Sequence, residues 1–92
     1  MDELILERVI LNGVALAPRS STLRSIQGGW SVYLSVRRLP PAIGGEGQVI
    51  DFTGETVGGE QFSGRLRIVA RRDDAYGSVL ELESVDQAPR LP

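Results

Sequence analysis

Cysteine, histidine and lysine are absent from the 92 residues, and aromatic side chains make up only 5% of them. Without Cys or His there is no thiolate or imidazole nucleophile, no thiolate or imidazole metal ligand, and no disulfide. No apolar run approaches the roughly 20 residues of a membrane-spanning helix, which excludes a helical membrane protein for this stretch of chain. A basic excess is missing too: ten basic against twelve acidic residues leave a formal charge of -2. Dedicated nucleic-acid binders generally carry the opposite sign, because phosphate contacts supply most of their non-specific affinity.

What remains is an ordinary globular composition, 41% hydrophobic and 24% charged, in a length that suits one domain with one modest core. All ten cations are arginine. Arginine suits bidentate contacts and aromatic stacking, although a codon preference of the source would give the same usage. Residues 1–46 carry five Arg and four acidic residues, and residues 47–92 five Arg and eight acidic residues. The N-terminal run MDELILERVIL has neither the positive region nor the long apolar stretch of a secretory signal, so a cytoplasmic address is expected.

Asn12-Gly13 stands between two β-rich runs, residues 4–11 and 14–17. This is a strong hairpin signal, because a type I′ turn needs positive φ at both central positions. A helix over residues 3–11 competes, with Asp2 as its cap; the Val-Ile-Leu run beside Asn-Gly favours the strand. After Pro18, Ser20 or Ser21 is placed to cap a short helical turn over residues 22–27, stopped by Gly28-Gly29. Residues 30–38 alternate cleanly, with Trp30, Val32, Leu34 and Val36 on one face and Ser31, Tyr33, Ser35 and Arg37 on the other. Pro40-Pro41 end that strand. Three further strands are expected over residues 48–57, 61–72 and 78–85. Residues 1–86 read as a single β domain and 87–92, with two prolines and no periodicity, as a flexible tail.

The period of two selects registers. A three-residue loop Gly58-Gly59-Glu60 pairs Phe52 with Leu66, Ile50 with Ile68 and Asp51 with Arg67. A five-residue loop 73–77 pairs Leu82 with Ile68 and Glu83 with Arg67. Arg67 then lies between Asp51 and Glu83 on the outer face, and Gly54 faces Gly64 in a slot that Trp30 is expected to cover.

Candidate sites follow from this layout. Asp51, Glu55 and Glu60 lie near one hairpin, but their spacing matches no calcium loop, and no catalytic residue, cofactor or metal is expected from it. The loop Gly44-Gly45-Glu46-Gly47 lacks the Lys-Ser/Thr of a phosphate loop and reads as a connection. Arg37, Arg65, Arg67 and Arg71 are expected to point outward beside Tyr33, as on barrels that bind oligonucleotides, with Glu81 and Glu83 answering part of their charge. Arg37-Arg38-Leu39-Pro40-Pro41 and Pro89-Arg90-Leu91-Pro92 resemble polyproline ligands and read as linker and tail. Val49, Val69, Val79 and Val85 are too many valines for a solvated face. They are expected either to lie under the first hairpin or to form a surface for a partner.

The expectation is therefore an all-β domain of five or six antiparallel strands, a small barrel or two-layer sheet of SH3-like or OB-like kind. Its expected role is non-catalytic: an interaction module that docks on a partner protein or assembles with itself, without a membrane. The partner surface is drawn from Tyr33, Arg37, Arg65, Arg67, Arg71, Val69 and Val79. The alternative is binding of single-stranded nucleic acid or another anionic, phosphorylated ligand through the arginines.

Overall fold

Asn12 and Gly13 adopt φ of 48° and 83°, the pair of positive values that a tight two-residue hairpin turn requires. They join β1 (Glu3–Leu11) to β2 (Val14–Leu16), with Leu11 opposite Val14. Asn12 also ties this tip to the rest of the chain. Its side-chain oxygen accepts the Asp51 N–H at 2.8 Å, and its own N–H donates to the Asp51 carbonyl at 2.9 Å. In the computed structural model, which describes residues 3–85, five more strands follow: β3 (Ser20–Ile26), β4 (Gly29–Val36), β5 (Val49–Thr56), β6 (Gln61–Asp74) and β7 (Gly77–Ser84). The expected tail 87–92 lies outside the described residues.

All pairings are antiparallel, in the order β2-β1-β3-β4-β7-β6-β5, and β1 pairs with β5 as well. The chain is thus an all-β closed barrel of six strands, consistent with a small SH3-like or OB-like barrel, with β2 as an additional strand beside the end of β1. Closure gives the six barrel strands partners on both sides, which removes the edges along which an open sheet associates. The interior is filled by one residue in two from each strand, as the pleat dictates. Trp30, Val32, Leu34 and Val36 face Phe52, Leu66, Ile68, Leu80 and Leu82 in one cluster. Trp30 is 1% exposed and its ring centroid lies 5.7 Å from that of Phe52. A Cβ on Gly64 would come within 3.0 Å of the Trp30 ring, so Trp30 does cover that glycine.

Three expectations are corrected. Residues 22–27 form no helical turn. Thr22, Leu23 and Arg24 pair with both β1 and β4, Ser21 and Leu23 point inward, and Gln27-Gly28 is the hairpin turn that returns the chain to β4. Gly28, at φ 82°, completes that turn and Gly29 opens β4, so the two glycines do not stop a helix.

The loop between β5 and β6 has three residues but starts one position earlier. Thr56 bonds back to Glu60, Gly59 N–H closes the turn on the Thr56 carbonyl at 3.0 Å, and Gly59 takes φ 90°. A three-residue hairpin loop needs positive φ at its last position. Glycine meets that demand at 59; Glu60 would meet it only with strain. The register therefore moves by two residues: Asp51 faces Arg65, Val49 faces Arg67, and Phe52 faces Gly64. Gly54 faces Phe62 instead of Gly64, and the space above it is taken by Phe52 and Leu6.

The β6–β7 turn has two residues, Ala75-Tyr76, between Asp74 and Gly77. Asp74 accepts the Tyr76 N–H at 2.7 Å, and Gly77 sits at φ 141° where a Cβ would collide with the Val36 carbonyl. The expected pairs Ile68–Leu82 and Arg67–Glu83 nevertheless form, because a β-bulge at Val69 offsets the shorter turn.

Candidate functional site

The bulge decides where the arginines of β6 point. Without it, alternation would send Arg67, Val69 and Arg71 to one side. With Val69 as the extra residue, Ala70 faces Glu81 on the outer side, Arg71 faces Leu80 at an inward position, and Arg72 faces Val79 outside. Arg71 is therefore not a solvent-facing ligand group, contrary to expectation. Its guanidinium donates to the Gly44 carbonyl at 2.6 Å and the Ile43 carbonyl at 3.2 Å, and pairs with Asp73 at 3.2 Å. These bonds hold the 37–48 connection across the barrel mouth, where Ile43 is buried at 3% exposure. Gln48 continues the fastening: its amide oxygen accepts the Gly44 N–H, and its amide nitrogen donates to the Ala42 carbonyl at 3.3 Å. The glycine-rich loop connects β4 to β5, as expected, and beyond that expectation its segment plugs the core. The Ser78 hydroxyl donates to Asp73 at 2.7 Å; that bond, and then Arg71, hold the Asp73 carboxyl below its ordinary value.

The outer side of β3, β4, β7 and β6 is arranged in rows across the strands. One row runs Glu3, Arg24, Ser31, Glu83, Arg67; the next Ile5, Thr22, Tyr33, Glu81, Ala70; the third Ser20, Ser35, Val79, Arg72. Short side chains at Thr22, Ser31 and Ala70 lie between long ones, which leaves a recess of about 530 Å³ lined by Glu3, Arg24, Ile26, Tyr33, Val69 and Glu83, among others. A second recess of about 180 Å³ adjoins it, lined by Tyr33, Ala70, Arg71, Arg72, Val79 and Glu81. Tyr33, Ala70 and Glu81 belong to both, so the two form one groove with Tyr33, 40% exposed, at its middle.

Of the residues expected at a partner surface, the structure brings Tyr33, Val69 and Val79 together in this groove, with Arg71 reaching its narrow end from the plug. Arg67 stands beside Glu83 at the margin. Arg37 follows the end of β4 next to Gly77, and Arg65 lies across from Asp51; neither lines the groove. Arg67 is not flanked by Asp51 and Glu83: Glu83 is opposite it on β7, but Val49 is opposite it on β5, and among the described residues Arg67 makes no ion pair. The first hairpin covers none of the four valines, because it closes the barrel instead of overlying it; Val49, Val69 and Val85 remain 37–40% exposed. Sequence reading missed Arg24, Ile26 and Glu3 as groove residues, since the helical reading of 22–27 concealed the outward alternation of Thr22, Arg24 and Ile26. Among the described residues no group of three or more acidic side chains could hold a metal ion, and no helix is long and apolar enough to cross a membrane.

Comparison with protein-family models, with curated proteins and with solved structures gives no match for this chain.

Proposed function

We propose that this chain is a non-catalytic interaction module that docks on a partner protein through the outer groove of β3, β4, β7 and β6. The observation carrying this reading is the groove itself, in which a half-exposed tyrosine and Val69, Ala70 and Ile26 are framed by charged side chains. Apolar and aromatic centres with a polar rim are the usual anatomy of protein interfaces, and tyrosine is prominent among the residues that dominate their affinity. A cytoplasmic address belongs to the same proposal.

The oligonucleotide alternative has less support. Arg71 is engaged by the plug loop and by Asp73, and Arg65 has Asp51 across the strand. An arginine with a carboxylate beside it has its charge locally answered and is a poor phosphate ligand.

A photo-reactive phenylalanine analogue placed at Tyr33, and separately at exposed Ser63 on the other side of the barrel, tests the docking reading in the producing cells. A partner cross-linked from position 33 and not from 63, and released by Val69→Glu, is the expected result. Equal labelling from both positions defeats it. Tight binding of a fluorescent oligonucleotide that falls steeply with salt would favour the alternative; a concentration-dependent mass in solution lost in Val69→Glu would make the partner a second copy.

A further inference from the structure

The groove is electrically uneven along its length, and this unevenness specifies what it takes. At the wide end, Glu3 and Glu83 line the groove with one cation, Arg24, opposite Glu3 across the strands, and Arg67 stands opposite Glu83 at the margin; Glu81 lies opposite Tyr33 in the middle and lines both recesses. At the narrow end, Arg72 joins Arg71. Arg71 is spoken for by Asp73 and the plug carbonyls, whereas Arg72, Glu81 and Glu83 make no ion pair or side-chain hydrogen bond among the described residues. Each of the three is exposed on the outer face. Carboxylates that hold no ion pair from the wide end to the middle of an apolar trough, with a cation that holds none at its narrow end, are complementary to a segment charged the opposite way round.

The spacing is set by the sheet. Glu83 lies in the row of Ser31, Tyr33 in the next outward row and Arg72 in the row of Ser35. Successive rows are two residues apart along β4, so the charged ends stand about 13 Å apart, which four residues of extended chain span. We propose that the groove recognises an extended protein segment with a basic side chain, an apolar side chain two positions away, and a carboxylate two positions beyond that. The basic group meets Glu83 and Glu81, with the Tyr33 ring face beside it. The apolar side chain packs on Tyr33, Val69 and Ala70, and the carboxylate pairs with Arg72. Alternate side chains of an extended segment point the same way, so all three reach the groove together. This inference rests on the docking reading and adds the chemistry of the partner to it.

Selection of a phage-displayed library of random nonapeptides on the full chain tests it, followed by titration of the chosen peptides against four variants. These are Tyr33→Ala, Glu81→Ser/Glu83→Ser, Arg72→Ser and Arg72→Glu, each checked for an unchanged buried Trp30 emission. The expected result is enrichment of the basic–x–apolar–x–acidic pattern in either chain direction, with affinity falling tenfold or more in each of the first three variants. Arg72→Glu should regain affinity for a peptide whose acidic residue is replaced by lysine. Peptides that need Tyr33 but lack the charge pattern overturn the inference and leave the docking reading standing. Peptides indifferent to Tyr33, or no enrichment at all, overturn both.

Discussion

The two parts of β6 on either side of Val69 follow different rules. Residues 61–67 pair with β5, and from Leu66 the strand pairs with β7 as well; the inward positions carry Gly64, against the Trp30 ring, and the buried Leu66 and Ile68. Beyond the bulge the strand pairs with β7 alone, and the pairing with the β5 side ends where Gly47 and Gln48 bond to Ile68. The inward position there holds Arg71, whose polar head satisfies the carbonyls of the plug. Hydrophobic burial holds the first part; charge-assisted hydrogen bonding to a loop holds the second. One extra residue in a strand is enough to exchange the roles of two arginines, since the side-chain period is two.

The largest effect expected from this contrast lies before the bulge. Trp30→Ala should destabilise the protein by about 3–5 kcal/mol, as truncations of buried aromatics do. Urea unfolding followed by far-UV dichroism measures it, and an unchanged midpoint would mean that the barrel core is not centred on Trp30.

Arg71→Ala comes next. It removes a charged donor from two backbone carbonyls, for which about 1–3 kcal/mol is expected, and it should loosen the plug selectively. Hydrogen exchange at the Ile43 and Gly47 amides should speed up more than at Leu66. Equal acceleration at all three sites would show that Arg71 is not a local fastener.

Asp73 gives a pH signature confined to the second part. Its folded pKa lies below its ordinary value, so its stabilisation is fully present above the unfolded pKa and disappears as the pH falls through the folded one. Asp73→Asn should remove that share of the acid destabilisation; matching stability–pH curves for the two proteins would contradict it. The smallest effect is expected of Arg67→Ala. With no ion pair among the described residues, Arg67 should change stability by less than about 0.5 kcal/mol in either direction. A larger loss would mean that Glu83 engages Arg67 in solution, and the cation-receiving end of the groove would be weaker than inferred.

Much of the barrel is legible in the order of residues. Asn12-Gly13 specified a turn because few residue pairs tolerate two positive φ values. The alternation of residues 30–36 specified which side of β4 is core, and the inward set of β6 up to Ile68 followed from the same rule. The β5–β6 register was also within reach: only Gly59, and not Glu60, takes the positive φ that ends a three-residue loop, and that demand outweighs the matching of apolar pairs. Residues 20–26 misled because serines and threonine suit both a helix cap and a strand, and local preference does not decide between them. Their strand exists because β1 and β4 lie on either side to receive it.

The candidate groove, by contrast, was half legible. Tyr33, Val69 and Val79 were visible as outward residues, but their meeting with Ile26, Arg24 and Glu3 required β3 to lie beside β4. The sequence alone determined the strands other than β3, the hairpin tip at Asn12-Gly13 and the burial of Trp30, because φ preferences and a period of two act between residues close along the chain. Tertiary structure alone decided the closure of β1 on β5, the bulge at Val69 and the capture of Arg71 by the plug. The closure and the capture depend on groups 27 to 50 residues apart, such as Arg71 and Gly44 or Leu6 and Thr56, and no local preference encodes which of them will meet.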